Sequence, residues 1–175
     1  MSFLKVVCVI LSYVMIVVLL QDYGFYPSTP ERLKLLDSQT LNEGKANMQM
    51  SKDVLNCFSE NDAQSLRALF CLKTQGLTDI DKQILAGFDF FKGSVVSFNE
   101  EDLSGYEGES IESGKTTFLE RSWRIKDIKT DVGETYEIEI NAYIICDEDK
   151  SREGISQIII TDDDGRELVI GNRID

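Results

Sequence analysis

The sequence has no histidine, and its 18 lysines and arginines are outnumbered by 31 aspartates and glutamates. Without histidine, neither a Ser-His-Asp nor a Cys-His nucleophilic system can be assembled in its usual form, and His-ligated zinc is excluded. Four cysteines occur, at positions 8, 57, 71 and 146, with no Cys-x-x-Cys pair, so thiolate zinc has no basis. Cys8 lies in the apolar N-terminal run, and the remaining three cannot all pair within one chain. Cys57 and Cys71 sit on consecutive predicted helices, offset by roughly 7 Å in an antiparallel hairpin, which is awkward for a disulfide. Buried free thiols are expected. The few glycines offer no phosphate cradle, because Gly105 to Gly114 runs among acidic residues. A net charge of −13 repels nucleic acid and anionic membrane surfaces. No cofactor motif is present.

Prolines are equally scarce, and both of them, Pro27 and Pro30, fall in one short stretch. That stretch follows an apolar run, Phe3 to Leu20, broken by Lys5, Ser12 and Tyr13. The run is near the lower limit for spanning a hydrocarbon core. It has neither an Ala-x-Ala-like cleavage pattern nor a cysteine after it, so residues 1–20 read as a signal anchor or transmembrane segment. Lys5 places the N-terminus inside and the rest of the chain outside the cell membrane. Residues 21–40 read as a juxtamembrane linker, with a short helix at Glu31–Leu36. Residues 41–175 read as one domain, a length suited to a single core.

The domain begins with helical periodicity. Met50, Val54 and Phe58 recur at four-residue spacing. Asn61 and Asp62 stop that helix and cap the next, whose face is Leu66, Leu69, Phe70 and the stem of Lys73. Thr78 or Asp79 starts a third helix carrying Ile80, Ile84, Phe88 and Phe91. After Gly93 the period changes to strand. Ser94–Phe98 is a short strand, and residues 99–116 read as a long loop or an irregular edge segment, of which a mobile loop is the favoured reading. Phe118–Thr130 is a strand joined by the hairpin Asp131-Val-Gly-Glu134 to Tyr136–Cys146. Gly154–Thr161 and Arg166–Ile170 are joined at Asp163-Asp-Gly165. Tyr136, Ile138, Ile140, Ala142 and Ile144 alternate onto one face. Ile158-Ile-Ile160 is apolar on both faces and predicts a strand covered on both sides. Helices followed by four or five antiparallel strands predict an α+β fold, with helices packed on one face of a strongly curved sheet.

That architecture resembles the cone-shaped fold of the nuclear transport factor 2-like superfamily, which shares broad features with cystatin-like folds. The segments Val54–Cys71, Ile125–Tyr136 and Gly154–Ile160 resemble a family of uncharacterised surface lipoproteins of Gram-positive bacteria, itself a domain of unknown function. The chain departs from that family in lacking the lipid-bearing cysteine. The resemblance implies a cavity between helices and concave sheet face, and Phe88, Phe91, Trp123 and Tyr136 are its candidate lining. Enzymes on this fold pair an Asp or Glu base with a Tyr donor, for which Asp127, Tyr136 and Tyr143 are candidates. Tyr136 and Tyr143, however, fall on opposite faces of their strand. Acidic loops at 147–149 and 162–164 do not match a calcium-binding loop, and they read as turn chemistry.

The expected function is therefore a membrane-anchored extracytoplasmic domain that binds a small ligand or a protein without catalysis. The alternatives are an acidic immunity- or adaptor-type protein for a basic partner, or a carboxylate-and-tyrosine hydrolase or isomerase. A homodimer through the outer sheet face suits the fold class, although Glu137 and Glu139 on that face point to solvent.

Overall fold

The computed structural model describes residues 30–100, 103 and 105–173, with side chains from residue 44 onward. The chain divides into two units, residues 1–42 and 43–175. The anchor expected over residues 1–20 and the first part of the linker lie outside the described residues. Among the described residues no helix is long and apolar enough to cross a membrane. Residues 30–40, read as linker with a short helix, are helical throughout from Pro30. Proline suits a first helical position because the N–H it lacks would have no partner there.

Helix α1 (Pro30–Glu60) buries Ser51, Val54, Leu55, Cys57 and Phe58, and Met50 packs beside them. It ends as the residues Asn61 and Asp62 predict. Asn61 takes a positive φ of 54°, its N–H reaches Phe58 O and the Asp62 N–H reaches Cys57 O. These two bonds satisfy the last carbonyls of the helix. The Asp62 carboxylate then accepts from Ser65 N at 3.0 Å and caps α2 (Ala63–Leu69). The second helix expected from the sequence does not run on. Phe70 and Cys71 are extended, and Cys71 N donates to Ile155 O at 2.8 Å before the single turn α3 (Leu72–Gln75). The interruption lets Phe70 bridge to Ile155 and enter the core. Helix α4 (Ile80–Phe90) buries Ile80, Ile84 and Gly87.

The sheet is open, antiparallel and six-stranded, one or two strands more than the sequence predicts. Its strands are β1 (Val95–Ser97), β2 (Gly105–Glu112), β3 (Lys115–Thr130), β4 (Thr135–Cys146), β5 (Gly154–Asp162) and β6 (Glu167–Gly171). The order is β1-β3-β4-β5-β6, and β2 shares with β1 the same side of the long β3. The additional strand is β2, within the residues expected as a mobile loop or, alternatively, an irregular edge segment. It turns into β3 through Ser113 and Gly114, both at positive φ, the geometry of a two-residue hairpin. Register breaks interrupt the pairing at Leu119/Glu120, Ile125/Ile128 and Asn141/Ala142, and each bends the sheet locally. The break at Ile125/Ile128 holds Asp127 at a φ of 53°.

One face of the sheet receives the helices. Trp123, Ile125, Ile128, Tyr136, Ile138, Ile140, Ile158, Ile160 and Ile170 join Val54, Phe58, Leu66 and Ile84 in one core. Among the described residues the other face is not covered as the Ile158–Ile160 run predicts. Ile159 is half-buried there, between Glu139 on one neighbouring strand and the exposed Val169 on the other. Cys57, Cys71 and Cys146 are free and buried.

Candidate functional site

The four residues expected to line a cavity are packed as core. Phe91, Trp123 and Tyr136 are buried, and Phe88 packs against the same cluster. Rings fill the space directly. Phe58 meets Phe88 edge-on at 5.6 Å and Phe91 at 5.1 Å, and Phe91 stacks on Tyr136 at 4.4 Å between centroids. The polar atoms among them are satisfied internally. Trp123 Nε1 donates to Ser51 Oγ at 3.0 Å. The Tyr136 hydroxyl donates to Phe90 O at 3.2 Å and accepts from Lys92 N at 3.0 Å. Burial raises its pKa above the usual tyrosine value, so it stays a neutral donor.

Asp127, Tyr136 and Tyr143 do not converge. Asp127 is exposed on its bulge. Tyr143 belongs to a second small cluster with Cys71 and Phe118, and the Arg152 guanidinium lies 4.7 Å from its ring centroid. The acidic loops are occupied by turn and ion-pair chemistry. Asp162 Oδ1 accepts from Asp164 N at 3.1 Å and Arg166 N at 2.9 Å. Asp147 is held between Lys115 at 2.6 Å and Lys150 at 2.9 Å, which lower its pKa to about 2. Among the described residues no three Cys, Asp or Glu side chains are grouped to hold a metal ion.

Open clefts occur instead on the surface. The first, of about 450 Å³, runs between α1 and β1. Leu55, Val95, Val96 and Phe98 supply its apolar groups, and Lys52, Asn56, Ser59, Ser97 and Glu100 its polar ones. Lys52 and Glu100 meet across it at 3.2 Å, and Ser59 Oγ accepts from Val95 N at 3.0 Å. Val96 is 68% exposed. The second, of about 460 Å³, lies where Ser110, Glu112, Thr117 and Phe118 face Cys146, Asp147, Glu148 and Arg152. The third, of about 270 Å³, is bordered by Asp53, Glu60 and Asp62 around Cys57. Desolvation first, then those three carboxylates, push the Cys57 thiol up to about 11, so it is inert. None of Phe88, Phe91, Trp123 or Tyr136 borders these clefts. The α1–β1 groove escaped sequence reasoning because its two walls are about 40 positions apart. The signal available was Val96 on a strand with too few residues to have a buried face, with Phe98 just beyond its end.

A comparison with curated proteins finds no match to this chain. Residues 53–163 match a family described as "Domain of unknown function (DUF5104)". That span runs from within α1 to just beyond the end of β5 and includes most of the core and the main walls of all three clefts. The chain therefore belongs to the DUF5104 family.

Proposed function

We propose that this chain is a membrane-anchored, extracytoplasmic binding domain that recognises a ligand or protein on its surface, at the α1–β1 groove, rather than in an internal cavity. One observation carries the reading. The space between helices and sheet is filled by Phe58, Phe91, Tyr136 and Trp123, whereas the groove beside it stays open, with Leu55, Val95, Val96 and Phe98 set among five polar residues, a concave surface that offers both apolar contact and hydrogen-bonding groups. The anchor rests on the apolar run Phe3–Leu20. A nuclear transport factor 2-like architecture is supported by helices on one face of a sheet bent at register breaks. The kinship to Gram-positive surface lipoproteins is supported by its three motif segments, all inside residues 53–163. The hydrolase or isomerase alternative draws no support from Asp127, Tyr136 and Tyr143, which stand apart.

The test is native mass spectrometry of the full chain extracted from membranes in detergent, beside a Val96→Asp variant. The expected result is an adduct, lost on denaturation, carried by the parent chain and not by the variant. Bare chain in both samples, or the same adduct in both, refutes the groove.

A further inference from the structure

The three edge strands of this sheet are treated unequally. β1 has three residues, and its Val95 N–H is taken by Ser59 Oγ. β6 has five, and its Gly171 N–H donates to Gln83 Oε1 on α4 at 2.7 Å. Short length and side-chain cover are the usual protections of an edge. β2 has neither. It spans eight residues with no proline, lysine or arginine, and all but Gly108 are exposed. Its pairing is with β3 alone. Alternate residues of an antiparallel edge strand turn their N–H and C=O groups away from the neighbour. Among the described residues, nothing accepts from or donates to that outer side of β2.

The side chains say what would fit. Glu107 and Glu109 lie opposite Arg121 and Leu119, on the same face of the hairpin, and Glu112 follows at its tip. Glu107 is fixed at 2.8 Å by Arg121, whose own side chain is 7% exposed, and Glu109 accepts from Thr116 Oγ1 at 2.7 Å. Tyr106 and Ile111 add apolar area at 65% and 62% exposure. A second copy pairing β2 to β2 across a two-fold would bring carboxylates against carboxylates, which is destabilising. A strand with cations at alternate positions would find backbone partners, two or three carboxylates and an apolar contact together.

We infer that β2 is a docking edge at which an extended segment of another protein, bearing lysine or arginine at alternate positions, adds as a further antiparallel or parallel strand. This takes the protein-binding branch of the function proposed above, at a surface separate from the α1–β1 groove, so either can fail alone. The test uses the full chain in detergent micelles and a ten-residue peptide alternating lysine and valine, followed by amide hydrogen exchange. Saturating peptide is expected to slow exchange at least tenfold within residues 105–112 and to leave residues 95–98 unchanged. A peptide alternating glutamate and valine gives no such protection. The double variant Glu109→Lys with Glu112→Lys is expected to reverse the preference, gaining the glutamate peptide and losing the lysine peptide at least tenfold. Protection placed elsewhere, equal protection by both peptides, or a variant that does not gain the glutamate peptide overturns the inference.

Discussion

Ser51 and Trp123 form a buried polar pair whose energetics can be read with the chain's own fluorophore. Both are essentially unexposed, and the indole N–H donates to the Ser51 hydroxyl at 3.0 Å across the interface of α1 and β3. Ser51→Ala leaves the indole N–H without a partner in a dry core, a loss of about 1–3 kcal/mol. Alanine regains about 0.5 kcal/mol of helix propensity, so the net cost is about 1–2 kcal/mol. Trp123→Phe keeps the larger part of the apolar body but opens a void, and costs about 2 kcal/mol. In that background the serine hydroxyl can turn back to the carbonyl of its own preceding helical turn, so adding Ser51→Ala should cost almost nothing. The double-mutant cycle therefore carries a coupling of about 1–2 kcal/mol. Trp123 is the only tryptophan, so its emission during urea unfolding reports the parent and Ser51→Ala proteins, and far-UV circular dichroism reports the phenylalanine variants. For a domain of this length the single Ser51→Ala change lowers Tm by about 5 °C. Additive single effects, or a Ser51→Ala midpoint indistinguishable from the parent, would refute the bond as a contributor.

Two further predictions concern backbone and protons. Gly171 has a φ of +79°, and a Cβ there would stand 2.2 Å from Ser156 O, a backbone atom that cannot move without parting β5 from β6. Gly165, at +76°, has open space around it. Gly165→Ala should cost only the left-handed conformation, about 1 kcal/mol, whereas Gly171→Ala adds a steric cost of about 2 kcal/mol or more; equal urea midpoints would show that the contact is relieved. The Cys57 thiol is raised from 9.0 to about 11. An unfolded chain therefore loses that proton first, and the stabilisation present below pH 9 disappears as pH rises toward 11. Urea midpoints across that window should fall less steeply in Cys57→Ala than in the parent, and an unchanged slope would count against the raised value.

The elements with one clean periodicity were legible before the structure. β4 follows the alternation of Tyr136 to Ala142, and α1 and α2 meet where Asn61 and Asp62 place a left-handed cap and an N-cap. β2 was legible only as an irregular edge segment, ranked behind a mobile loop, for a physical reason. A strand paired on one side and exposed on both faces has no buried face to impose alternation, and the Ser113-Gly114 turn was its one local cue. The split between α2 and α3 was hidden likewise, because Phe70 is drawn out of helix by a bridge to Ile155, more than eighty residues away.

The same limit explains why the aromatic residues were legible as a group but not in their role. Phe88 on α4, Phe91 just past its end, and Trp123 and Tyr136 on strands all pack into the core, and a ligand cavity and a filled core ask for the same inward aromatics. What separates the two is whether other side chains reach across the gap. Here Phe58 does so from α1, contacting Phe88 and Phe91 at once, while Ser51 and the backbone at Phe90 and Lys92 use the polar atoms a ligand would need. A bound molecule in that space would have to replace three internal hydrogen bonds and displace stacked rings. An exposed groove or strand edge asks neither. A ligand or partner would therefore meet the lowest cost at the margins of this domain, where a groove opens between β1 and α1 and β2 pairs with β3 alone.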